Sequence, residues 1–396
     1  MNPSILPMID AAANRWMDDV IALRRAIHAH PELAFEERET AQRVQAFLAS
    51  RGIRFRAGIG GTGIVAVLEG GKPGPTVAIR ADMDALPMGE PAGLDYASKV
   101  PGKMHSCGHD AHTAIVCGVA AVMSEMRSSL AGRVMFIFQP AEETLRGAKA
   151  MLDDNMFADG KPDVILGFHN WPPLATGTVG WHTDACMASS DAFDVTIKGT
   201  AGHGAHPHLA VDAIVAAAHF VEQVQTIVSR EIAPISSAVL TIGKIQGGTA
   251  RNIIASSVEL QASVRTLEAA TADRVQAAVR RILEGLKTGL RIDYDLTWTK
   301  LTPVVRNDKP TMARVLDVAR RMIGAENVVE MPAPSMGSED YAWFAERSKS
   351  AHLRIGSKIE GHETAIHRID YQLNEAAIPL ATRLMSRAVL EFLDNK

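Results

Sequence analysis

Several polar side chains follow apolar segments that are typical of buried strands. Asp82 and Asp84 come directly after TVAIR, Glu142 and Glu143 follow RVMFIFQP, and His169 follows VILGF. Ligands of open α/β sheets bind outside the carboxyl ends of the strands, so we expect these side chains to meet in one crevice. The sequence therefore predicts a polar site built from three separate segments.

A short loop between the first two segments carries thiol and imidazole side chains. Cys107 and His109 stand two residues apart in HSCGHDAH, ahead of an apolar helical segment. In an extended loop, residues two apart point to the same side, so both side chains could reach one metal ion or two adjacent ones. Cys, His and carboxylate ligands together suit zinc, or a neighbouring first-row ion such as Mn, Co or Ni.

Each of these features also has an ordinary structural explanation. A single Cys-x-His pair is weak evidence for a metal, and a Glu-Glu pair is usually a solvated surface feature. His169, taken alone, fits a hydrogen-bonded core residue. The occurrence of all of them at strand ends favours a metal site.

Two adjacent glutamates allow different tasks for the two carboxylates. One can bind a metal ion while the other takes a proton from water whose pKa the metal lowers towards ~7. The same carboxylate can later protonate a leaving nitrogen. Asp84 could then orient a ligating imidazole.

Apolar periodicity predicts the elements that position these residues. Helical segments at 10–30, 40–51 and 111–126 accompany strands at 63–69, 76–80, 133–138 and 164–168. This order indicates an α/β fold, with a mostly parallel sheet and helices on both faces.

The pattern changes in the middle of the chain. Between 185 and 297, four alternating strands and two helices are typical of an antiparallel sheet backed by helices. We therefore predict a catalytic domain formed by residues 1–184 and 298–396, with an α+β domain inserted at 185–297.

Composition limits the classes of partner. The 396 residues are 47% hydrophobic and 22% charged, with a net charge of −4, so the basic patch that nucleic acid or an anionic membrane requires is not expected. No apolar run reaches the ~18 residues of a membrane span. Three cysteines form no disulfide framework and, with an N-terminus unlike a signal peptide, indicate a cytoplasmic protein.

A series of segments along the whole chain matches one known family. They are LRRAIHAHPELAFEE, IRADMDALPM, MHSCGHDAHTA, FQPAEETLRGAKAML, GFHNWP, GTAGHGAHPH, GGTARNIIAS, MGSEDYAWF and IHRIDYQLNE. In these segments the chain resembles the M20 metallopeptidase family, specifically its branch of hippurate hydrolases, N-acyl-amino-acid deacylases and auxin-conjugate hydrolases. The resemblance implies a zinc-peptidase-like α/β domain interrupted by a small dimerisation or lid domain.

The resemblance also implies residue roles. Two divalent metal ions per subunit would be bound by five side chains: Cys107, His109, Glu143, His169 and His367. Glu142 would be the general base and acid, with Asp84 as the orienting carboxylate.

The chain departs from the wider family at two places. Other branches have a histidine ligand where this chain has Asp82 and an aspartate where it has His109, which leaves open whether Asp82 touches the metal site. Ile369 replaces a proline that is usual two residues after His367. His362 is the nearest alternative to that ligand.

Three residues of the inserted domain have implied roles. His203 resembles the histidine that reaches into the partner subunit's site and helps to hold the oxyanion. Asn252 resembles a substrate-binding position. Arg265 could bind a carboxylate through two hydrogen bonds, or be an ordinary exposed strand residue.

The implied function is metal-dependent hydrolysis of N-acyl or N-aroyl amino acids by a homodimer, with a tetramer left open. A dipeptidase and a ureido hydrolase share the scaffold, but those branches usually carry the His/Asp ligand set. A non-catalytic binding protein for amino-acid conjugates is the alternative from another class, and it would have no use for Glu142.

Overall fold

The computed structural model describes residues 5–91 and 93–394. The α-helices are α1 (Leu6–His28), α2 (Arg38–Ala49), α3 (His109–Glu125), α4 (Gly147–Asp153), α5 (Ala213–Thr226), α6 (Ala269–Leu290), α7 (Lys309–Ile323), α8 (Ala342–Ala345) and α9 (Ala377–Leu393). The strands are β1 (Arg54–Ile59), β2 (Gly63–Glu69), β3 (Lys72–Asp82), β4 (Ala131–Gln139), β5 (Val164–Ala175), β6 (Val179–Trp181), β7 (Ala185–Met187), β8 (Ser189–Lys198), β9 (Gly202–His203), β10 (Ala238–Gly247), β11 (Ile253–Ile254), β12 (Ser257–Thr266), β13 (Asp293–Thr302), β14 (Val305–Arg306), β15 (Val328–Glu330) and β16 (Lys349–Lys358).

The chain forms two structural units. Met187–Val305 and Pro334–Glu339 make up the smaller unit, and the remaining described residues make up the larger one. The predicted domain boundary after residue 297 falls inside β13, because that strand stays paired with β8 as far as Thr302.

A mixed sheet of eight strands organises the described part of the larger unit. Its order is β1-β2-β4-β3-β5-β16-β6-β15, and the central strands β4, β3, β5 and β16 are parallel to their neighbours in that group. The antiparallel strands β1 and β2 extend one edge. The predicted α/β class with a mostly parallel sheet is confirmed.

Strand β3 shows how the apolar sequence builds both faces of this sheet. Val77 and Ile79 belong to the core that α1, α3 and α9 share. Because side chains alternate along a strand, Arg80 points the other way, with its guanidinium 3.5 Å from the Asp340 carboxylate ahead of α8. Helices α4 and α8 contact each other and the sheet on that side. No helix of the described ranges has the length and apolar character needed to cross a membrane.

The smaller unit has its own sheet and core. Strands β10, β12, β8 and β13 lie antiparallel in that order. Alternate residues of β8 and β12 pack against α5 and α6, and Phe193 meets Phe220 edge-on. The short strands β9 and β11 form a separate pair in the same unit.

Candidate metal centre

Helix α3 begins at the Cys-Gly-His segment. Gly108 has φ +93°, and a Cβ at this position would lie 2.1 Å from Oδ1 of Asn170 and 2.5 Å from the Tyr371 hydroxyl. The prediction of an extended loop is therefore wrong, because the chain turns at Gly108 and His109 is the first helical residue. The turn still brings Cys107 and His109 to one cluster.

The two glutamates lie on a tight turn after β4. The carboxylate of Asp84 accepts the backbone N–H of Glu142 at 3.0 Å and that of Glu143 at 2.9 Å. Nδ1 of His109 lies 2.9 Å from the Asp84 carbonyl and 3.2 Å from its carboxylate. A proton on Nδ1 leaves Nε2 of His109 as the ring atom that can bind a cation. Asp84 thus contacts His109, Glu142 and Glu143.

His169 lies inside β5 rather than after it. The prediction placed it beyond the strand, but pairing of β5 with β16 continues through His169 and Asn170. Its Nδ1 is 2.6 Å from the Asn170 carbonyl, and its Nε2 is 3.2 Å from Sγ of Cys107. Nε2 is thus directed at the thiol.

His367 reaches the same cluster from a distant segment. It has φ +63°, and its backbone N–H donates to the Ser106 carbonyl at 2.9 Å. Its Nε2 lies 3.2 Å from Oε2 of Glu143. The alternative residue His362 instead places Nε2 2.9 Å from the Asp370 carbonyl.

The structure thus brings the five residues of the implied ligand set together. Their ligand atoms form overlapping groups within 4.8 Å: Cys107, His109 and His169; Cys107, Glu143 and His367; His109, Glu142 and Glu143. Every member of the first group is buried. Cys107 belongs to the first and second groups, and Glu143 belongs to the second and third.

The donor set fits a cation. Nε2 of His109 and Oε1 of Glu143 are buried and have no hydrogen-bond partner among the described residues. Buried polar atoms normally have a partner, so these two indicate a missing ligand. Burial and the Glu143 carboxylate raise the pKa of the Cys107 thiol well above its ordinary value. A bound cation would reverse that shift, since a coordinating thiol is deprotonated.

Two of the neighbouring imidazoles have pKa values shifted in opposite directions. Burial lowers the pKa of His109, but the charge of Asp82 and the hydrogen bond with Asp84 contribute to a net shift that is well upward. Burial and the nearby His112 lower the pKa of His169. His169 is thereby held neutral, which is the form that binds a metal ion.

The supporting network around Asp82 was not predicted from the sequence. Its Oδ1 lies 2.6 Å from Nδ1 of His112, whose Nε2 accepts the backbone N–H of Asn170 at 3.0 Å. Arg80 contacts Oδ2 at 2.6 Å, whereas His109 Nε2 is 3.7 Å from it. Burial raises the pKa of Asp82, but Arg80 outweighs it and the pKa lies well below its ordinary value. The spacing of His109 and His112, one helical turn apart in HDAH, was the available signal.

The predicted residues of the inserted segment lie in the smaller unit. His203 is exposed on β9, and its neighbour Gly204 donates to the Asn252 carbonyl at 2.8 Å, so His203 and Asn252 lie close together. Arg265, on β12, donates to the hydroxyl of Ser338. Burial lowers the pKa of Arg265.

Together with the sheet, this arrangement is that of a metal-dependent hydrolase. The chain matches peptidase family M20/M25/M40 over residues 78–391 and belongs to that family. It is an enzyme that hydrolyses amide bonds, and the resemblance described above is confirmed.

Two relatives are named for substrates of the N-acyl amino acid class. The chain is 37% identical over 376 residues to the N-acetyl-L-cysteine deacetylase of Bacillus subtilis (strain 168), with 95% of this chain and 88% of the relative covered. It is 41% identical over 292 residues to the N-acyl-L-amino acid amidohydrolase of Geobacillus stearothermophilus, with 74% and 79% covered. A dinuclear metal-binding M20 peptidase of Bacillus subtilis has a solved structure with TM-score 0.83 and 32% identity, covering 97% of this chain and all of that one.

Proposed function

We propose that the protein hydrolyses N-acyl or N-aroyl amino acids, such as hippurate, to a carboxylic acid and a free amino acid. The observation that carries this proposal is a second buried carboxylate beside the ligand cluster. Oε2 of Glu142 lies 3.8 Å from Nε2 of His109, next to Glu143. The two relatives named for N-acyl amino acid substrates support this substrate class.

The cluster would hold two divalent ions, with Zn, Mn, Co and Ni as candidates. Cys107, His109, Glu143, His169 and His367 would bind them, and the buried unpartnered atoms of His109 and Glu143 support this role. When bound, such ions polarise a carbonyl and lower the pKa of a water molecule.

Glu142 would move the protons of the reaction. Its carboxylate takes a proton from the attacking water and later delivers it to the departing nitrogen. Asp84 would hold the backbones of Glu142 and Glu143 in place, because its carboxylate accepts the N–H groups of both residues. It acts as a positioning residue for the ligand His109 as well.

His203 would donate a hydrogen bond to the oxyanion in the site of a second copy. Its Nδ1 accepts the backbone N–H of Ala205 at 3.0 Å, so the neutral ring carries its proton on Nε2 and is a donor there. Asn252 and Arg265 would bind the substrate. Arg265 would bind the carboxylate group of the substrate.

A homodimer follows from this role of His203, with a tetramer still open. The inserted domain predicted at 185–297 would supply the interface, and three exposed apolar side chains of the smaller unit support this: Leu209, Ile214 and Ile253. Besides a second copy of the chain, the proposed partner is the small-molecule substrate. A cytoplasmic location is supported by the three cysteines, none of which forms a disulfide.

A substrate panel tests the function. The metal-loaded protein should hydrolyse hippurate, N-acetyl amino acids or indoleacetyl amino acids faster than a dipeptide or an N-carbamoyl amino acid. A chelator should abolish the activity, and added metal should restore it. Preference for the dipeptide or the carbamoyl compound, or binding of conjugates without turnover, would contradict the proposal.

A further inference from the structure

Glu37 is a buried glutamate that the mechanism above does not use. It directly precedes α2, where a side chain normally caps the first N–H groups. That task belongs to Glu32, whose carboxylate accepts the N–H groups of the first three helical residues, Arg38 to Thr40. The carboxylate of Glu37 is therefore available for contacts elsewhere.

Those contacts join three separate segments. Oε1 of Glu37 accepts the backbone N–H of Phe35 at 3.0 Å and that of Ala141 at 2.8 Å. Oε2 accepts the hydroxyl of Thr62. None of these donors is a cation, and burial raises the pKa of Glu37 to about 7 although the Thr62 hydrogen bond lowers it. A buried carboxyl group is costly, which indicates that this position has a task.

Both backbone donors belong to residues in the left-handed region. Phe35 has φ +65° and Ala141 has φ +53°, and neither is glycine. Such conformations persist only when surrounding contacts hold them. Ala141 is followed directly by Glu142, so its conformation sets the direction in which the two glutamates leave β4.

The turn itself supplies part of that support. The Ala141 carbonyl accepts the N–H groups of Arg146 and Gly147, and the Glu142 carbonyl accepts that of Leu145. The N–H of Ala141 points out of the turn, and its partner is Glu37. This is the hydrogen bond that fixes the turn to the segment before α2.

We propose that Glu37 is a positioning residue for Glu142, acting through the backbone of Ala141. This inference rests on the proposed role of Glu142 as the proton carrier. Misplacing a catalytic group by about 1 Å can lower a rate about 100-fold. Glu37 would thus affect kcat without touching substrate or metal.

Three substitutions at one position test the proposal on the metal-loaded protein. Glu37→Ala removes both acceptors, so kcat per metal-loaded subunit should fall about 10- to 100-fold, with KM within about twofold of wild type. Glu37→Gln keeps Oε1 as acceptor and can donate to Thr62, so its kcat should stay within about threefold of wild type. Glu37→Asp shortens the side chain and should resemble Glu37→Ala, which provides a second variant if the alanine protein does not fold.

Hydrogen exchange of the peptide 140–147 gives a readout without activity. Exchange should accelerate at least about tenfold in Glu37→Ala and stay near wild type in Glu37→Gln. Glu36→Ala is the matched control, because Glu36 is the adjacent glutamate but is exposed and pairs with Lys103.

The proposal is overturned by unchanged exchange in this peptide, by unchanged kcat per metal-loaded subunit in Glu37→Ala, or by equal losses in the Gln and Ala variants. If wild type hydrolyses none of the panel substrates, the proposed function fails, while the exchange measurement still decides whether Glu37 holds the turn.

Discussion

Asp84 shows how one side chain can set several others through their backbones. Its two carboxylate oxygens accept adjacent N–H groups, so the backbones of Glu142 and Glu143 are held by the same side chain. The same residue fixes Nδ1 of His109. The proposed base and two proposed ligands are thereby tied to one side chain, which would reduce the reorganisation that the reaction requires.

The raised pKa of Glu37 predicts a pH-dependent stability. Its folded value of about 7 exceeds the ordinary value of 4.5, because burial disfavours the charged form. The folded protein therefore holds this proton more tightly, and the free energy of unfolding falls as pH rises between these two values. Glu37→Gln has no such proton to lose.

Urea unfolding of wild type and Glu37→Gln, both treated with a chelator, measures the difference in their free energies of unfolding at several pH values. The stability of Glu37→Gln relative to wild type should increase from about pH 5 to about pH 8. A difference that is independent of pH would show that Glu37 titrates normally in the folded protein.

At the scale of elements, a buried ion pair joins α1 to α3 beside the site. Nε of Arg24 lies 2.7 Å from the Asp110 carboxylate, and both side chains are almost fully buried. Arg24 also contacts Glu375, at 3.1 Å, in the segment that follows His367. The charge of Arg24 keeps the pKa of Asp110 far below its ordinary value against the effect of burial.

Removing one partner of this pair should destabilise the larger unit. Arg24→Met leaves Asp110 buried with His28, at 2.8 Å, as its only close basic partner among the described residues, and should lower the free energy of unfolding by about 3–5 kcal/mol. Arg25→Met is the matched control, since Arg25 is half exposed and its pair with Glu375 should contribute about 0–1 kcal/mol. Equal losses in denaturant unfolding of the two variants would contradict this account of the pair.

Continuous apolar segments made the central strands predictable. The predicted strand 63–69 coincides with β2, and the predictions for β3, β4 and β5 fall inside the observed strands. β6 and β15 have three residues each, which is too short for a periodic pattern. Helix α9 was overlooked, although its apolar spacing and Pro379 in the first turn would have indicated it.

The candidate ligands could be predicted because each follows a recognisable local pattern. The residues that hold them could not. Asp340 accepts N–H groups from Gln139 and Ala148, which lie about 200 positions away, and Glu37 reaches Ala141 across 104 positions. No local periodicity records such contacts, because they depend on which segments the sheet order brings together.

At the scale of the whole molecule, the proposed role of His203 requires two copies of the chain. Glu142→Ala and His203→Ala should each be nearly inactive alone. In a mixed dimer, one site has an intact Glu142 and receives an intact His203 from the other chain. Random exchange of subunits between equal amounts of the two variants should restore about a quarter of wild-type activity. Half of the dimers are then mixed, and each mixed dimer has one complete site out of two.

The measurement is the activity of the mixture after reversible dissociation, compared with the unmixed variants. Size-exclusion chromatography of each variant controls for altered association. Activity that stays at the sum of the two separate variants would contradict a role for His203 across the subunit interface.

We propose that Glu142 moves protons while other side chains hold the cations. The most direct test compares turnover and metal content in Glu142→Ala. We predict that kcat falls about 10²- to 10⁴-fold while bound metal stays near the wild-type amount, because Glu142 is outside the ligand set. A variant that keeps most of its activity, or that loses its metal together with its activity, would contradict the account.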